Sequence, residues 1–410
     1  MKKKKIVFDM ALNIIATAIP TFVLQLLILP NLAKFMSDDN YGALVTILAL
    51  LNVLPSTTGN VLNNIRLLYD ENYKEEGLQG DFNVILTILE VFNFLTVIVF
   101  LLFYLPGVTW WSLLLTGLVT MLWLAREYFI VAFRLVINYK AILLCNIICV
   151  AGYGVGYVLF RLIGDWQYIY IFGHLFSLVY CIIRSPLWKE PFKITARFKR
   201  TSTQGLLLLI AKVFNRVLTY ADKIIIFPVL GGALVSVFYT ATVFGKVVSL
   251  VITPINSVVL TYLSKVKNKK DNMFKSALLI GIVVCAVGYV VCVAISRPVL
   301  SILYPQFVDD AMNYIFVTTG TTVLYALTSI VDPFIMKFFD MKWQIAINGG
   351  TVVVYLALCI TLLSFWGLMG FCVGALLTNA LKLLFMIFIY YRCKALNLEE
   401  TGEKNETKRA

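Results

Sequence analysis

Charged residues are scarce in this sequence: 14% of its 410 residues are Asp, Glu, Lys or Arg, whereas 60% are hydrophobic. Soluble domains carry roughly 25% charged and about 45–50% apolar residues, so a soluble globular fold of this length is excluded. Long polar linkers are also lacking, although a soluble chain of this length would need them to divide into separate cores. Most of the chain must therefore face lipid.

Motifs for metal, nucleotide and redox chemistry are lacking as well. The eight cysteines form no CxxC pair and the chain has one histidine, so we expect no metal site. No G-x-x-x-x-G-K-[ST] loop occurs, which excludes ATP hydrolysis by a P-loop. We therefore expect no cofactor, no catalytic residues and no enzymatic activity.

The formal net charge of +13 would suit binding to nucleic acid, but its distribution argues against that. Most Lys and Arg residues lie in short segments between apolar runs, a pattern that indicates membrane topology rather than a phosphate-binding face. We expect no nucleic-acid partner.

Apolar runs long enough to cross a bilayer recur along the chain and predict an all-α membrane protein of about twelve transmembrane helices. These lie near residues 10–32, 43–62, 83–105, 111–133, 141–160, 166–183, 206–230, 234–262, 276–295, 312–336, 343–365 and 367–391. With the N-terminus inside, the cytoplasmic segments hold 26 basic residues and the outer segments hold three. Because Lys and Arg are enriched in cytoplasmic loops, both termini are predicted to be cytoplasmic.

The two halves of the chain share a spacing of proline and tyrosine. The matched positions are Pro30 with Pro228, Tyr41 with Tyr239, and Pro55 with Pro254. In each half, a proline is expected to end a helix and another to interrupt the returning helix. Six spans per half predict two pseudo-symmetric six-helix lobes related by an axis along the membrane normal. The predicted boundaries are an N-terminal lobe at 1–185, a cytoplasmic linker at 186–204, a C-terminal lobe at 205–391 and a cytoplasmic tail at 392–410.

Polar side chains recur at i+3 and i+4 spacing along four predicted helices, which puts those of each helix on one face. Candidate substrate-binding residues on the first, second, seventh and eighth helices are Asn13, Thr17, Gln25, Asn52, Asn60, Lys212, Arg216, Lys223 and Lys246. Polar groups within a membrane are costly and usually face a bundle interior or a wet cavity. Hydrogen bonds between helices would also explain stripes of Ser, Thr and Asn. The Lys and Arg residues in these stripes are what favours a substrate site over helix packing.

Two of these cations, Arg216 and Lys246, are expected near the membrane midplane, where they need a wet cavity, a carboxylate or an anionic ligand. The candidates for ion coupling are Glu90, expected near an inner helix end, and Asp222, which is equally suited to pair with a neighbouring cation. Arg126 is expected to extend its charge to the membrane surface. A net cationic interior favours an anionic substrate group such as phosphate.

Two stretches of the sequence resemble the polysaccharide flippases of the multidrug/oligosaccharidyl-lipid/polysaccharide exporter superfamily. One is Ile28-Leu29-Pro30-Asn31-Leu32-Ala33 followed by Asp39-Asn40-Tyr41-Gly42. The other is Tyr220-Ala221-Asp222-Lys223-Ile224-Ile225-Ile226 followed by Tyr239-Thr240-Ala241-Thr242. The resemblance covers the whole chain in length and topology. It implies a central cavity lined by spans one, two, seven and eight, and a rocking-switch cycle.

The same resemblance implies a function at the bacterial cytoplasmic (inner) membrane. The substrate would be an undecaprenyl-diphosphate-linked oligosaccharide repeat unit, flipped across the membrane for O-antigen or capsular polysaccharide assembly. Membrane lipids, a polysaccharide polymerase and the chain-length machinery are the implied partners.

Two alternatives stay open. An ion-coupled multidrug antiporter of the same superfamily would share the fold, but should carry carboxylates rather than Arg and Lys at the midplane. A membrane polysaccharide polymerase would share the composition, but is expected to carry a large outer loop with catalytic polar residues.

Overall fold

The computed structural model describes residues 12, 15–105, 107–243, 245, 271–339 and 341–392. The regular structure of these residues is helical throughout, which confirms the predicted all-α class. Residues 15–241 form α1 (Ile15–Ala33), α2 (Asp38–Val53), α3 (Pro55–Glu75), α4 (Asp81–Tyr104), α5 (Trp110–Phe129), α6 (Val131–Leu135), α7 (Tyr139–Ile163), α8 (Gln167–Arg184) and α9 (Phe198–Ala241). Residues 271–392 form α10 (Asp271–Leu303), α11 (Val308–Phe338) and α12 (Met341–Arg392).

Ten helical stretches of the described residues are long and apolar enough to cross a membrane, and they match predicted spans in order. The last of them, in α12, contains non-helical residues at Trp366 and Gly367 and so holds the eleventh and twelfth predicted spans. A similar break at Gly231 in α9 marks the end of the seventh span. Most of the eighth predicted span, 234–262, lies outside the described residues. The chain is a multi-span membrane protein.

The proline in the second predicted span interrupts the helix, as expected. Leu54 separates α2 from α3 with φ −93° and ψ −84°, and Pro55 begins α3. Proline has no N–H to donate to the preceding turn, so the helical ladder breaks there. Pro30 behaves differently, because it lies in the first turn of a helical segment that runs on to Ala33. The expectation that Pro30 ends its helix is therefore wrong, and Pro254 lies outside the described residues.

Contacts divide the chain into two compact units, Met1–Gly232 and Ala233–Ala410. The core of the first unit gathers buried side chains from α3 to α8, with Phe82 and Tyr128 fully buried. The core of the second unit is aromatic: the rings of Phe274 and Tyr390 stack with centroids 3.7 Å apart. The lobe and linker boundaries given by the sequence repeat stay a prediction.

Arg126 is buried inside the first unit, so the expectation that its charge reaches the membrane surface is wrong. The residue is 8% exposed. Its guanidinium donates to Glu127 at 2.6 Å, to Ser177 at 3.2 Å and to Asn146. Asn146 in turn donates to the carbonyl of Ala16 at 2.8 Å. Three helices, α5, α7 and α8, thus supply partners that satisfy the charge within the protein, and α1 holds one of those partners in place.

The predicted orientation can be measured with reporter fusions. We predict a cytoplasmic location for fusions at Lys193, Lys267 and the C-terminus, because basic segments stay inside. We predict an outer location for fusions at Asp39, Asp165 and Asp309. A phosphatase active only outside and a fluorescent protein active only inside give paired readouts. A cytoplasmic result at Asp165 would contradict the alternation of twelve spans.

Candidate functional site

The predicted site residues that the structure describes all lie in the first unit, whereas Asn13 and Lys246 fall outside the described residues. Two of the predicted residues, Asn60 and Lys212, are in direct contact although 152 positions separate them. The structure therefore brings part of the polar stripe of α3 against the polar stripe of α9.

Three asparagines on α3 face cations from two other helices. Lys212 Nζ donates to Asn60 Oδ1 at 3.3 Å, and Asn64 Nδ2 donates to the same oxygen at 3.1 Å. Arg134, in α6, donates through Nη1 to Asn63 Oδ1 and to Asn64 Oδ1. We call these five residues the amide–cation cluster.

The amide–cation cluster is positively charged. Neither Arg134 nor Lys212 forms a salt bridge with a residue that the structure describes. Glu127 is paired with Arg126 at 2.6 Å. Arg216 lies one turn beyond Lys212 on α9 and adds a second positive charge to the same helix face. Since amides donate and accept while the cations supply charge, the cluster is suited to a polar anionic group.

Asp222 and Lys223 form an ion pair with each other. Lys223 Nζ lies 2.6 Å from both carboxylate oxygens of Asp222, and Lys223 is 4% exposed. This is the pairing that the sequence analysis left open for Asp222 beside its role in ion coupling. Pairing reduces the net charge that either side chain offers to a substrate or an ion.

A second polar site lies on α4, where Glu90 is 9% exposed and its Oε2 has no hydrogen-bond partner among the described residues. Asn93 is fully buried and donates to Thr58 Oγ1 at 3.1 Å and to the carbonyl of Leu89 at 2.8 Å. The Oδ1 of Asn93 also has no partner within the described part of the chain. Because residues i and i+3 share a helix face, one side of α4 carries two acceptors for which the described residues supply no donor.

An ionised carboxylate that is buried without a donor is costly, and a bound proton or cation relieves that cost. A proton on Glu90 also provides an O–H that can donate to a nearby acceptor. Glu90 lies nine residues from Asp81, the first residue of α4, which is about 14 Å along the helix. A carboxyl group at this site is therefore suited to change between a charged and a neutral form.

The other predicted residues make separate contacts. Gln25 lies in a π-helical turn, Leu24–Ile28, and its Oε1 is buried with no partner among the residues described. Such turns are frequent at functional sites. Asn52 donates to the carbonyl of Leu48 at 2.8 Å, and Thr17 is exposed. None of these contacts tests the proposed role in substrate binding.

Sequence reasoning missed Arg134 and Asn93. From the sequence alone, Arg134 is counted among the charges of a cytoplasmic loop. In the structure its side chain instead donates to Asn63 on α3. The spacing of Asn60, Asn63 and Asn64 at i, i+3 and i+4 is the signal that could have indicated an amide-rich face.

No protein-family model matches the sequence, and no curated protein matches it. Solved structures do match. A crystal structure of MATE in the bent conformation gives a TM-score of 0.58 over 96% of this chain and 94% of that chain, at 12% identity. An inward-facing multidrug resistance MATE family transporter of the MOP superfamily gives 0.57 over 95% and 99%, at 14% identity. A Vibrio cholerae MATE transporter gives 0.50 over 93% and 94%, at 11% identity.

These likenesses extend over nearly the full length of both chains. The chain therefore has the two-lobed fold of MATE transporters of the MOP superfamily. That fold is the one implied by the sequence resemblance at the level of the superfamily, and the solved structures that share it are transporters.

Proposed function

We propose that this chain is an ion-coupled carrier that exports an amphipathic substrate across a membrane, with Glu90 as the coupling residue. The shared fold with MATE transporters supports carriage. The observation that carries the coupling is the buried carboxyl group of Glu90, whose Oε2 has no donor among the described residues. A carboxyl group in this environment takes up and releases an ion with a large change in local energy.

The contacts of α4 connect this site to the break in the neighbouring helix. Asn93 follows Glu90 by one turn and donates to Thr58 Oγ1. Thr58 lies in the first turn of α3, and its hydroxyl is 3.0 Å from the carbonyl oxygen of Leu54, the residue at the break. An ion at Glu90 can drive transport only if it binds one conformation more tightly than another. Asn93 shares a helix face with Glu90, and its contacts through Thr58 to Leu54 are the route by which we propose that ion binding biases the helix break.

The comparisons support a multidrug antiporter better than oligosaccharide flipping. One of the solved neighbours is described as a multidrug resistance transporter. A buried carboxyl group within a span, as at Glu90, is also the kind of residue that ion coupling in an antiporter requires. We therefore propose organic cations as the first class of substrate to test.

One observation favours a second candidate function, the flipping of an undecaprenyl-diphosphate-linked oligosaccharide. The amide–cation cluster holds Arg134 and Lys212 without a described carboxylate in ion-pair distance, and it surrounds them with asparagine amides. Cations suit a diphosphate, and amides suit sugar hydroxyl groups. A polysaccharide polymerase and the chain-length machinery are partners under this candidate alone.

Reconstitution of the purified chain in liposomes distinguishes the two candidates. We expect an imposed pH gradient to drive ethidium across the membrane, measured by its fluorescence with enclosed DNA. A parallel assay follows a fluorescent undecaprenyl-diphosphate oligosaccharide by its accessibility to an external quencher. Movement of the lipid-linked glycan without movement of ethidium would replace the first candidate with the second. Movement of neither would contradict the proposal of a carrier.

The variant Lys212→Gln sharpens this assay. If the cluster binds the diphosphate, we expect the apparent affinity for the lipid-linked glycan to fall about ten- to hundredfold, because one charge-assisted contact is lost. Ethidium transport should not fall, since the lost charge repels a cation. Lys140→Gln, which removes an exposed lysine near the same membrane face, is the matched control.

A further inference from the structure

The segment between α8 and α9 is fixed to the first unit by buried polar contacts. Glu190 accepts hydrogen bonds from both terminal nitrogens of Arg66, at 2.8 Å and 2.7 Å. Asp81 accepts the N–H of Thr195 at 2.7 Å and its hydroxyl at 2.6 Å. Arg66 and Asp81 are both buried. The segment therefore has a defined position on the protein although it contains little regular structure.

Backbone packing and a second ion pair add to this attachment. A Cβ on Gly80, which has φ +116°, would lie 2.6 Å from a carbonyl oxygen of the segment, so the two backbones are in close contact. Leu187 is buried, and Arg197 donates two hydrogen bonds to Glu76. These hydrogen bonds hold the pKa of Glu76 below its ordinary value.

The outward side of this segment is apolar and aromatic. Trp188 is 48% exposed, Phe192 71% and Ile194 63%. Three large apolar side chains exposed within seven residues of a fixed segment are suited to a cover other than water. Trp is also enriched where proteins meet the polar boundary of a bilayer.

Exposed cations accompany these apolar side chains. They are Arg184, Lys189, Lys193, Lys199 and Arg200, and none of them forms a salt bridge with a described residue. The one acidic residue of the segment, Glu190, is directed inward to Arg66. The amino group of Lys189 lies 5.5 Å from the centroid of the Trp188 ring, so charge and aromatic surface are adjacent.

We propose that this segment binds the headgroups of anionic phospholipids in the leaflet that surrounds the protein. The segment joins two membrane spans and therefore lies at the membrane boundary, on the side predicted to be cytoplasmic. Its aromatic side chains match the apolar layer beneath the headgroups, and Lys189 and Lys193 match their negative charge. The proposed transport function assigns no role to this surface. We call the residues Trp188, Lys189, Phe192, Lys193 and Ile194 the lipid-contact surface.

A lipid-selectivity measurement tests the proposal. The full chain is reconstituted with spin-labelled phosphatidylglycerol or phosphatidylcholine, and the protein-bound fraction of each is measured by electron paramagnetic resonance. The test variant carries both Lys189→Gln and Lys193→Gln. At the lipid-contact surface, we expect its affinity for phosphatidylglycerol relative to phosphatidylcholine to fall by roughly fivefold for each lysine removed. The control removes two exposed lysines elsewhere, Lys140→Gln and Lys275→Gln, and should retain the preference. Equal preference in the test and control variants would overturn the proposal.

Photo-crosslinking identifies what covers the surface. Phe192 is replaced by p-benzoyl-phenylalanine in living cells, and the purified product is analysed by mass spectrometry. We expect a mass increase that corresponds to an anionic phospholipid. A crosslink to another protein chain, to the tail at 393–410 of this chain, or to zwitterionic lipid alone would contradict the proposal. Folding is not at risk in this experiment, because the Phe192 side chain is largely exposed.

Discussion

Glu90→Gln is expected to abolish gradient-driven transport while the protein still folds and enters the membrane. Glutamine matches the shape of a protonated glutamic acid but cannot release or bind the coupling ion. Its amide can also donate to a buried acceptor, so the variant should be at least as stable as the wild type. Ethidium movement in liposomes under a pH gradient reports coupling, and thermal unfolding reports stability.

Two further variants make this prediction specific. Glu90→Asp keeps a carboxyl group and should retain part of the coupled transport. Glu71→Gln removes an exposed carboxylate from α3 and should leave coupling unchanged. Coupled transport at the wild-type rate in Glu90→Gln would assign the coupling site to other residues and would remove the main support for Glu90.

Glu190→Ala should lower the free energy of unfolding by about 3 kcal/mol, because it removes a partner from a buried charge. The side chains of Arg66 and Glu190 are 8% and 10% exposed. Asp70 still contacts Arg66 at 3.0 Å, which limits the loss to the lower part of the range for broken buried pairs. Denaturant unfolding in detergent, followed by circular dichroism, gives the measurement.

The exposed pair formed by Arg197 and Glu76 provides the control. Glu76→Ala should change stability much less, since surface ion pairs are screened by water and salt. The pair stabilises the fold at pH values above the ordinary pKa of Glu, and this contribution is lost as the pH falls through the lowered pKa of Glu76. Equal losses of stability at Glu190 and Glu76 would show that burial does not determine the strength of the Arg66 contact.

Most of the helical spans could be predicted from the sequence, because the thickness of the bilayer sets the length of an apolar run. Helix ends were harder to place. α9 begins at Phe198, eight residues before the predicted span, since Lys199 and Arg200 are polar yet favourable in a helix. Hydropathy gives the part of a helix that lies in lipid, whereas the helix itself continues into the polar boundary.

The candidate sites were only partly predictable. Periodicity assigns side chains to one face of one helix, and it correctly groups Lys212 with Arg216. It cannot show which other helix that face meets, so Arg134 was counted as a loop charge and Arg126 as a surface charge. Both arginines contact residues of other helices, Asn146 for Arg126 and Asn63 for Arg134. These contacts depend on how the helices pack, which periodicity within one helix does not give.

The presence of charged groups within the membrane spans does not by itself distinguish a multidrug antiporter from a flippase of lipid-linked oligosaccharides. The first unit contains both a buried carboxyl group, Glu90, and a cationic cluster around Lys212. An antiporter of organic cations uses the first, whereas a carrier of lipid-linked diphosphates uses the second. A carrier that moves an anionic substrate in exchange for ions would use both, and movement of the lipid-linked glycan that requires an imposed pH gradient would indicate this outcome.

The contact between Arg66 and Glu190 also constrains the biosynthesis of the protein. The two residues are 124 positions apart, so a ribosome that adds about 5–20 residues per second delivers Glu190 about 6–25 seconds after Arg66. We expect Arg66 on α3 to lack Glu190, its bidentate partner, during that interval. A nascent chain arrested with Glu190 still inside the ribosome should therefore be more sensitive to membrane proteases than one arrested after residue 197 has left the ribosome.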